Sequence, residues 1–159
     1  MGGRANDLAE RFAAFNDEVM QFVQGCGNED WHKVCSWEKW SVGTTARHIG
    51  ANHYGAVGLA RMIVKGEKLP LLTMEEIIES ANRHAEEHGA CTRDEVAQVL
   101  RENGQALIDF VKGLEDSELE RTGYLAVMKK DVSVAQLIET VILNGGSQHL
   151  QNMKTAVGA

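Results

Sequence analysis

The sequence predicts an all-α protein, an up-and-down four-helix bundle with one additional short helix. Apolar residues recur at alternating steps of three and four residues over four long segments. Capping boxes mark three of the helix starts, at Thr73, Thr92 and Ser133. No segment shows a convincing strand pattern. Amphipathic helices without a repeat at a fixed period are typical of a bundle whose apolar stripes meet in one core.

The first half of the chain contains two long predicted helices. The first spans about residues 6–24 and ends at Gly25 and Gly27. Residues 27–39 follow as a loop, which we expect to be packed down by the indoles of Trp31 and Trp37. Ser41 is a good N-cap for a second helix over about residues 42–65. Its predicted inward stripe consists of Val42, Ala46, Ile49, His53, Ala56, Ala60 and Ile63.

The second half of the chain contains the short helix and two further long ones. The short helix starts after Thr73 and ends at Gly89, and the next starts after Thr92 and ends near Gly113. The last starts after Ser133 and carries His149 on its inward face. The pattern is lost over residues 116–131, so we expect an irregular connection there.

Length and composition indicate a single ordinary domain over residues 1–159, large enough to bury about two-thirds of the surface that its unfolded chain exposes. The formal net charge of −7 argues against nucleic acid or anionic membrane as a partner. Apolar runs are short, and the first residues lack the layout of a secretion signal. The cysteines, Cys26, Cys35 and Cys91, are odd in number and form no Cys-x-x-Cys pair, which fits a reducing compartment. We therefore expect a cytoplasmic protein.

Histidines provide the candidate chemistry. His53 lies on the inward stripe of the second helix, and His48 lies about 100° round from Ile49, where it can face another helix. A buried imidazole without a partner costs on the order of 1–3 kcal/mol, so each should be bonded to something. His84 and His88 form a His-x-x-x-His on the short helix, a spacing that can hold one metal ion, although a solvated acidic helix edge is the favoured explanation.

Three stretches resemble one known family. They are Trp40-Ser41-Val42-Gly43 through His48, Asn82-Arg83-His84 through Cys91-Thr92, and the late helix ending in His149-Leu150. In order and spacing they resemble the DinB superfamily of small four-helix-bundle proteins, from the first helix to Met153. The resemblance implies a divalent metal, zinc or nickel, held by one histidine on the second helix and a His-x-x-x-His on the last. It also implies relatives that are thiol-dependent transferases or isomerases using mycothiol or bacillithiol.

Carried over to this chain, the resemblance assigns His48 and His149 as metal ligands, but Gly145 stands at the middle position of the last-helix motif. Glycine has no side chain to coordinate a metal. Either His53 or His84 is expected to substitute, in preference to a residue at the frayed end of the short helix. If position 145 is simply an empty cavity, Gly145→His should raise zinc or nickel affinity at least tenfold.

Two functions follow from these observations. In the first, a metal at His48, His149 and His53 or His84 activates a water or a thiol in a transferase, isomerase or hydrolase that acts on a small-molecule substrate, with a thiol cofactor as a further candidate. In the second, the protein is a metal-free, non-enzymatic relative that binds a small apolar ligand or acts as a dimeric interaction module. Metal content after purification distinguishes the two.

Overall fold

Four long helical segments form the bundle that the apolar stripes predict. The structure is a computed structural model, and it describes residues 3–158. In chain order the elements are α1 (Gly3–Gly25), α2 (Asn28–Trp31), α3 (Val42–His48), a first π segment (Ile49–His53), a 3₁₀ turn (Tyr54–Ala56), α4 (Val57–Lys65), α5 (Met74–Glu87), α6 (Arg93–Lys112), α7 (Asp116–Leu119), β1 (Thr122–Leu125), a 3₁₀ turn (Ala126–Met128), β2 (Lys130–Ser133), α8 (Val134–Leu137), a second π segment (Ile138–Asn144) and α9 (Gly145–Val157).

The helix starts lie where the capping residues predict them. Thr73, Thr92 and Ser133 each accept a hydrogen bond from the backbone N–H three residues on, and each capping box is complete. The Ser41 hydroxyl likewise accepts from the Thr44 N–H at the start of α3. These caps satisfy backbone groups that a helix start leaves unpaired, so local chemistry alone places the starts.

The core runs between the four long segments. The stripe predicted for residues 42–65 is buried throughout except at His53, which is half-buried. On the other side of the bundle α1 packs closely on α6, where a side chain at Gly104 would lie 2.5 Å from Asn16 Nδ2. Asn16 is itself held in the core by the Tyr54 hydroxyl, which donates to Asn16 Oδ1 at 2.6 Å. No helix within residues 3–158 is long and apolar enough to cross a membrane.

Two local expectations are wrong. The stretch that lost its helical pattern contains an antiparallel hairpin, in which Thr122 pairs with Ser133 and Leu125 with Lys130. Four-residue strands with one buried side chain each are too short to show an alternation. The indole of Trp31 is buried as expected, but Trp37 is 80% exposed and does not hold the loop against the core.

The second and last long segments are not regular α-helices. In the first π segment the Tyr54 N–H bonds to the Ile49 carbonyl, five residues back. In the second, the Gly145 N–H bonds to the Thr140 and Ile142 carbonyls and bypasses Val141, its α-helical acceptor. Such π turns are rare and are frequent at functional sites. The first π segment contains His53, and the second contains Val141, its hydrogen-bond partner.

Candidate metal centre

The first π segment brings two imidazoles to one face of their helix. In a regular α-helix, His48 and His53 would lie about 140° apart, because each residue turns the helix by about 100°. A turn hydrogen-bonded from residue i to residue i+5 brings such a pair close to the same face. The two ring centroids are 4.8 Å apart. The backbone irregularity therefore makes neighbours of side chains that α-helical spacing would separate.

The ring of His53 fills the space beside Gly145. A Cβ atom built at position 145 would lie 2.8 Å from His53 Cε1 and 3.0 Å from His53 Nδ1, closer than real contacts allow. Position 145 is therefore not an empty cavity, and the expectation that Gly145→His simply adds a ligand is corrected. Glycine is needed here because the imidazole from the neighbouring helix takes the place of its side chain.

The second π segment orients the same ring. His53 Nδ1 donates a hydrogen bond of 2.7 Å to the Val141 carbonyl, the one that the Gly145 N–H bypasses. With Nδ1 carrying the proton, Nε2 of His53 has its lone pair free. The first π segment thus brings His53 to the same face as His48, and the second provides the Val141 carbonyl that accepts its hydrogen bond.

His149 is oriented by a buried carboxylate. Its Nδ1 donates to Glu38 Oε2 at 2.5 Å, and Asn152 Nδ2 donates to the same oxygen at 2.8 Å. The Glu38 side chain is only 2% exposed. Burial on its own raises the pKa of the Glu38 carboxyl, but hydrogen bonds from His149, Asn152 and its own backbone N–H together lower it below its usual value. Nε2 of His149 is consequently left free, as in His53.

A short closed loop places this carboxylate. Val34 and Ser41 form an antiparallel bridge, and the Cys35 N–H bonds to the Trp40 carbonyl at 2.8 Å across it. Lys39, at the tip, has a φ of 67°, the left-handed conformation that a side chain disfavours. The strained turn directs Glu38 into the protein, where it meets His149.

Three histidines meet at this point. The ring centroid of His149 lies 5.0 Å from that of His48 and 4.8 Å from that of His53. One nitrogen from each ring can be chosen so that all three lie within 4.8 Å of one another. Some point therefore lies within about 2.8 Å of all three nitrogens, so zinc bonds of about 2.1 Å require inward shifts of under about 1 Å.

The protonation state also suits a metal. Burial, followed by the neighbouring histidines His53, His149 and His84, lowers the pKa of His48 to about 2. Burial lowers the pKa of His53 to about 4, against the opposing effect of its bond to Val141. Both imidazoles are neutral near pH 7, which is the form that binds metal. In addition, His48 Nδ1 is buried and has no hydrogen-bond partner within residues 3–158. The residues present therefore fit a divalent metal ion.

His84 is near the cluster but outside it. Its ring centroid is 6.0 Å from that of His48, and its Nε2 accepts a hydrogen bond of 2.6 Å from Arg47. Burial, then Arg47 and His88, lowers the pKa of His84 to about 4. Nε2 of His84 is therefore not free for a cation. The group of histidine nitrogens within 4.8 Å of one another includes His53 and not His84.

An open cleft of about 1020 Å³ leads to the three rings. Its base contains all three histidines of the cluster and Trp40, whose ring centroid lies 4.9 Å from that of His48. One wall is the face of α5 that carries Ile77, Ile78, Ala81 and Ala85. A small molecule can therefore reach the imidazoles from solvent.

Sequence reasoning missed Glu38 and the packing of Trp40 on the imidazole rings. Glu38 precedes a positive-φ lysine in a loop, and nothing in its neighbours predicts burial. One weak signal was available: Asn152 lies three residues after His149, on the same helix face, and the two share Glu38 as their acceptor.

Comparisons with known proteins agree with this architecture. A sequence profile of the DinB superfamily matches residues 11–145. Among solved structures, YfiT from Bacillus subtilis, described as "a probable metal-dependent hydrolase with an unusual four-helix bundle topology", superposes with a TM-score of 0.77 and 12% sequence identity. The alignment covers 99% of this chain and 90% of YfiT. No significant match was found among curated protein sequences. The profile match spans most of the chain, and the chain belongs to the DinB superfamily.

Proposed function

We propose that this protein holds a divalent metal ion, zinc or nickel, through His48, His53 and His149, and that it is a metal-dependent enzyme acting on a small molecule. The observation that carries the proposal is the convergence of three imidazoles, two of them oriented through Nδ1, at the base of an open cleft. Three protein ligands with an accessible further position are typical of catalytic zinc.

The ligand set departs from the one that the family resemblance implies. His53 takes the part of the side chain that Gly145 lacks, so the third ligand comes from the second helix. Its partner, the Val141 carbonyl, fixes the ring through Nδ1, as Glu38 does for His149. Such hydrogen bonds to metal-binding histidines set the tautomer and the ring orientation, and their removal typically costs 10- to 100-fold in affinity.

A divalent metal at this position supplies Lewis acidity, which activates a water or a thiol as a nucleophile. The chain itself supplies the neutral imidazoles of His48 and His53. It also supplies the buried Glu38 carboxylate, which is hydrogen-bonded to His149, and a cleft that admits substrate. These features support hydrolysis or thiol-dependent group transfer, and the description of YfiT favours hydrolysis.

Metal analysis of protein purified without chelators or metal-binding tags tests the proposal. We expect about one zinc or nickel per chain, and His48→Ala should lower the affinity at least about 100-fold, because a first ligand matters more than an orienting partner. His32→Ala is the matched control, since His32 is exposed and outside the cluster. A wild-type protein that binds no metal in titrations, while remaining folded by circular dichroism, would support the metal-free alternative instead.

A further inference from the structure

Helix α5 has an apolar face that is not covered by the rest of residues 3–158. None of its residues is buried, yet Ile77, Ile78, Ala81 and Ala85 all line the cleft above the histidines. The other side of α5 is polar and exposed, with Glu75, Glu79, Arg83 and Glu87. An amphipathic helix normally buries its apolar face against its own core. In α5 this face borders the open cleft instead.

Polar contacts hold α5 in this position, and they lie toward its C-terminal end. The Trp40 indole donates to Asn82 at 3.1 Å, and Arg47 donates to His84 at 2.6 Å. The Thr44 hydroxyl donates to the carbonyl of His88, just past the helix, at 3.3 Å. All these partners belong to α3 or its immediate N-terminal flank, next to the metal centre. The C-terminal half of α5 is therefore held against α3, near the histidine cluster. The N-terminal half contributes Ile77 and Ile78 to the wall of the cleft.

Side-chain size changes along this face in a consistent direction. The small residues Ala81 and Ala85 lie on either side of His84 in the helix and line the cleft. Ile77 and Ile78 precede Ala81 by three to four residues, or roughly 4.5–6 Å along the helix at about 1.5 Å per residue. A ligand bound at the histidines and lying along this face would thus pass the small alanines and then meet branched aliphatic side chains.

Charge does not oppose an apolar ligand here. The charged residues lining the cleft are Glu38, Lys39 and Glu86. Oε2 of Glu38 accepts hydrogen bonds from His149 and Asn152, and the other two residues are exposed and of opposite sign. Small-molecule sites are typically clefts of this size with mainly apolar walls and a few polar groups that orient the ligand.

We propose that the cleft selects small molecules in which a metal-binding group carries an uncharged aryl or branched alkyl group, and that Ile77 and Ile78 form the subsite for that group. This inference rests on the proposed metal centre. It adds a substrate class and two specificity-determining residues. Neither isoleucine is a candidate ligand, and both are exposed, at 37% and 52%, so their substitution should not affect folding.

Two hydroxamates, benzohydroxamate and acetohydroxamate, serve as probes, because they share the metal-binding group and differ in the apolar part. Their affinities for the zinc-loaded protein are measured by titration calorimetry. We expect the ratio of the two affinities, in favour of benzohydroxamate, to fall about tenfold when Ile77→Ser and Ile78→Ser are combined, as expected for the loss of contact with an apolar ring. Affinity for acetohydroxamate should stay within about twofold. Leu71→Ser, at an exposed apolar residue that does not line the cleft, is the control and should leave the ratio unchanged.

The outcomes separate this inference from the proposed function. If zinc binds but the ratio is the same in the double variant, the subsite is refuted and the metal centre stands. If the wild type binds no zinc, the metal centre fails first and the subsite with it. Sedimentation velocity provides a further test: a wild-type dimer that the double variant dissociates would assign this face to a second copy of the chain and overturn the inference.

Discussion

The two pairs of long segments in this bundle differ in backbone regularity. Helices α1 and α6 are uninterrupted over 23 and 20 residues, whereas residues 42–65 and 134–157 each contain a π segment. The regular pair contributes close packing, as at Gly104 against Asn16. The irregular pair contributes all three clustered histidines.

The geometry of a regular α-helix explains why the three histidines meet in the irregular pair of segments. At 3.6 residues per turn, positions i and i+5 diverge, so α-helical spacing cannot direct both His48 and His53 to one point. A π turn widens the helix locally and removes that restriction at some cost in backbone hydrogen bonding. In this protein, the departure from regular geometry coincides with the residues that could hold a metal. Each prediction below alters one side of this comparison.

The largest effect should come from exchanging the proposed third ligand between the two irregular segments. His53→Ala should lower zinc affinity at least about 100-fold. Adding Gly145→His to that variant should recover at least about tenfold, because the removed imidazole leaves space for a ligand one turn before His149. Competition against a chromogenic chelator measures both values. The converse result, full affinity in His53→Ala, would remove this residue from the site, and His84→Ala would then be the variant to examine.

Glycine substitutions on the two sides should have opposite consequences. Gly145→Ala places a Cβ 2.8 Å from His53 Cε1 and should lower zinc affinity about tenfold or more by displacing that ring. Gly104→Ala in the regular pair should instead destabilise the fold by about 1–3 kcal/mol through overpacking, with affinity unchanged. Urea unfolding and zinc titration of both variants check this. Equal effects of the two changes on affinity would contradict a division of roles between the pairs.

Glu38→Gln should lower zinc affinity by about tenfold. Glutamine can still accept the hydrogen bond from His149, so the loss would reflect the negative charge that strengthens the imidazole as a ligand. Glu86→Gln, at an exposed acid lining the same cleft, is the matched control and should have no measurable effect. Similar losses in both variants would mean that the general negative potential of the cleft matters, and not the contact with His149.

A further prediction concerns the metal-free protein and pH. The unfolded chain protonates its histidines near pH 6.5, whereas the pKa of folded His53 is about 4 and that of folded His48 about 2. The unfolded state therefore binds more protons below pH 6.5, and stability should be greatest above that pH and fall as pH drops toward 4. The slope is about 1.4 kcal/mol per pH unit for each such histidine.

Urea unfolding with a chelator at pH 7.5 and pH 5 measures this loss. His53→Gln should reduce it relative to wild type, whereas His32→Gln, at an exposed histidine outside the bundle core, should not. An unchanged loss in His53→Gln would show that this imidazole is not held neutral in the fold.

The sequence by itself determined the helical architecture, because its signals are local. A capping hydroxyl and a glutamate or glutamine three residues later act within one helical turn, so Thr73, Thr92 and Ser133 identify helix starts without knowledge of the rest of the fold. Apolar periodicity likewise selects the inward stripe of each helix. The same reasoning singled out the histidines as the residues with chemical potential, and the family resemblance pointed to Gly145 as the position without a ligand.

Only the tertiary structure decided how those residues meet. The two π segments depend on contacts between helices: His53 fits because Gly145 on the facing helix has no side chain, and the Val141 carbonyl accepts a hydrogen bond from its Nδ1–H. Glu38 is buried because a strained loop meets a histidine 111 residues away. Periodicity and capping rules describe one helix at a time, whereas these placements follow from packing between segments far apart in the chain.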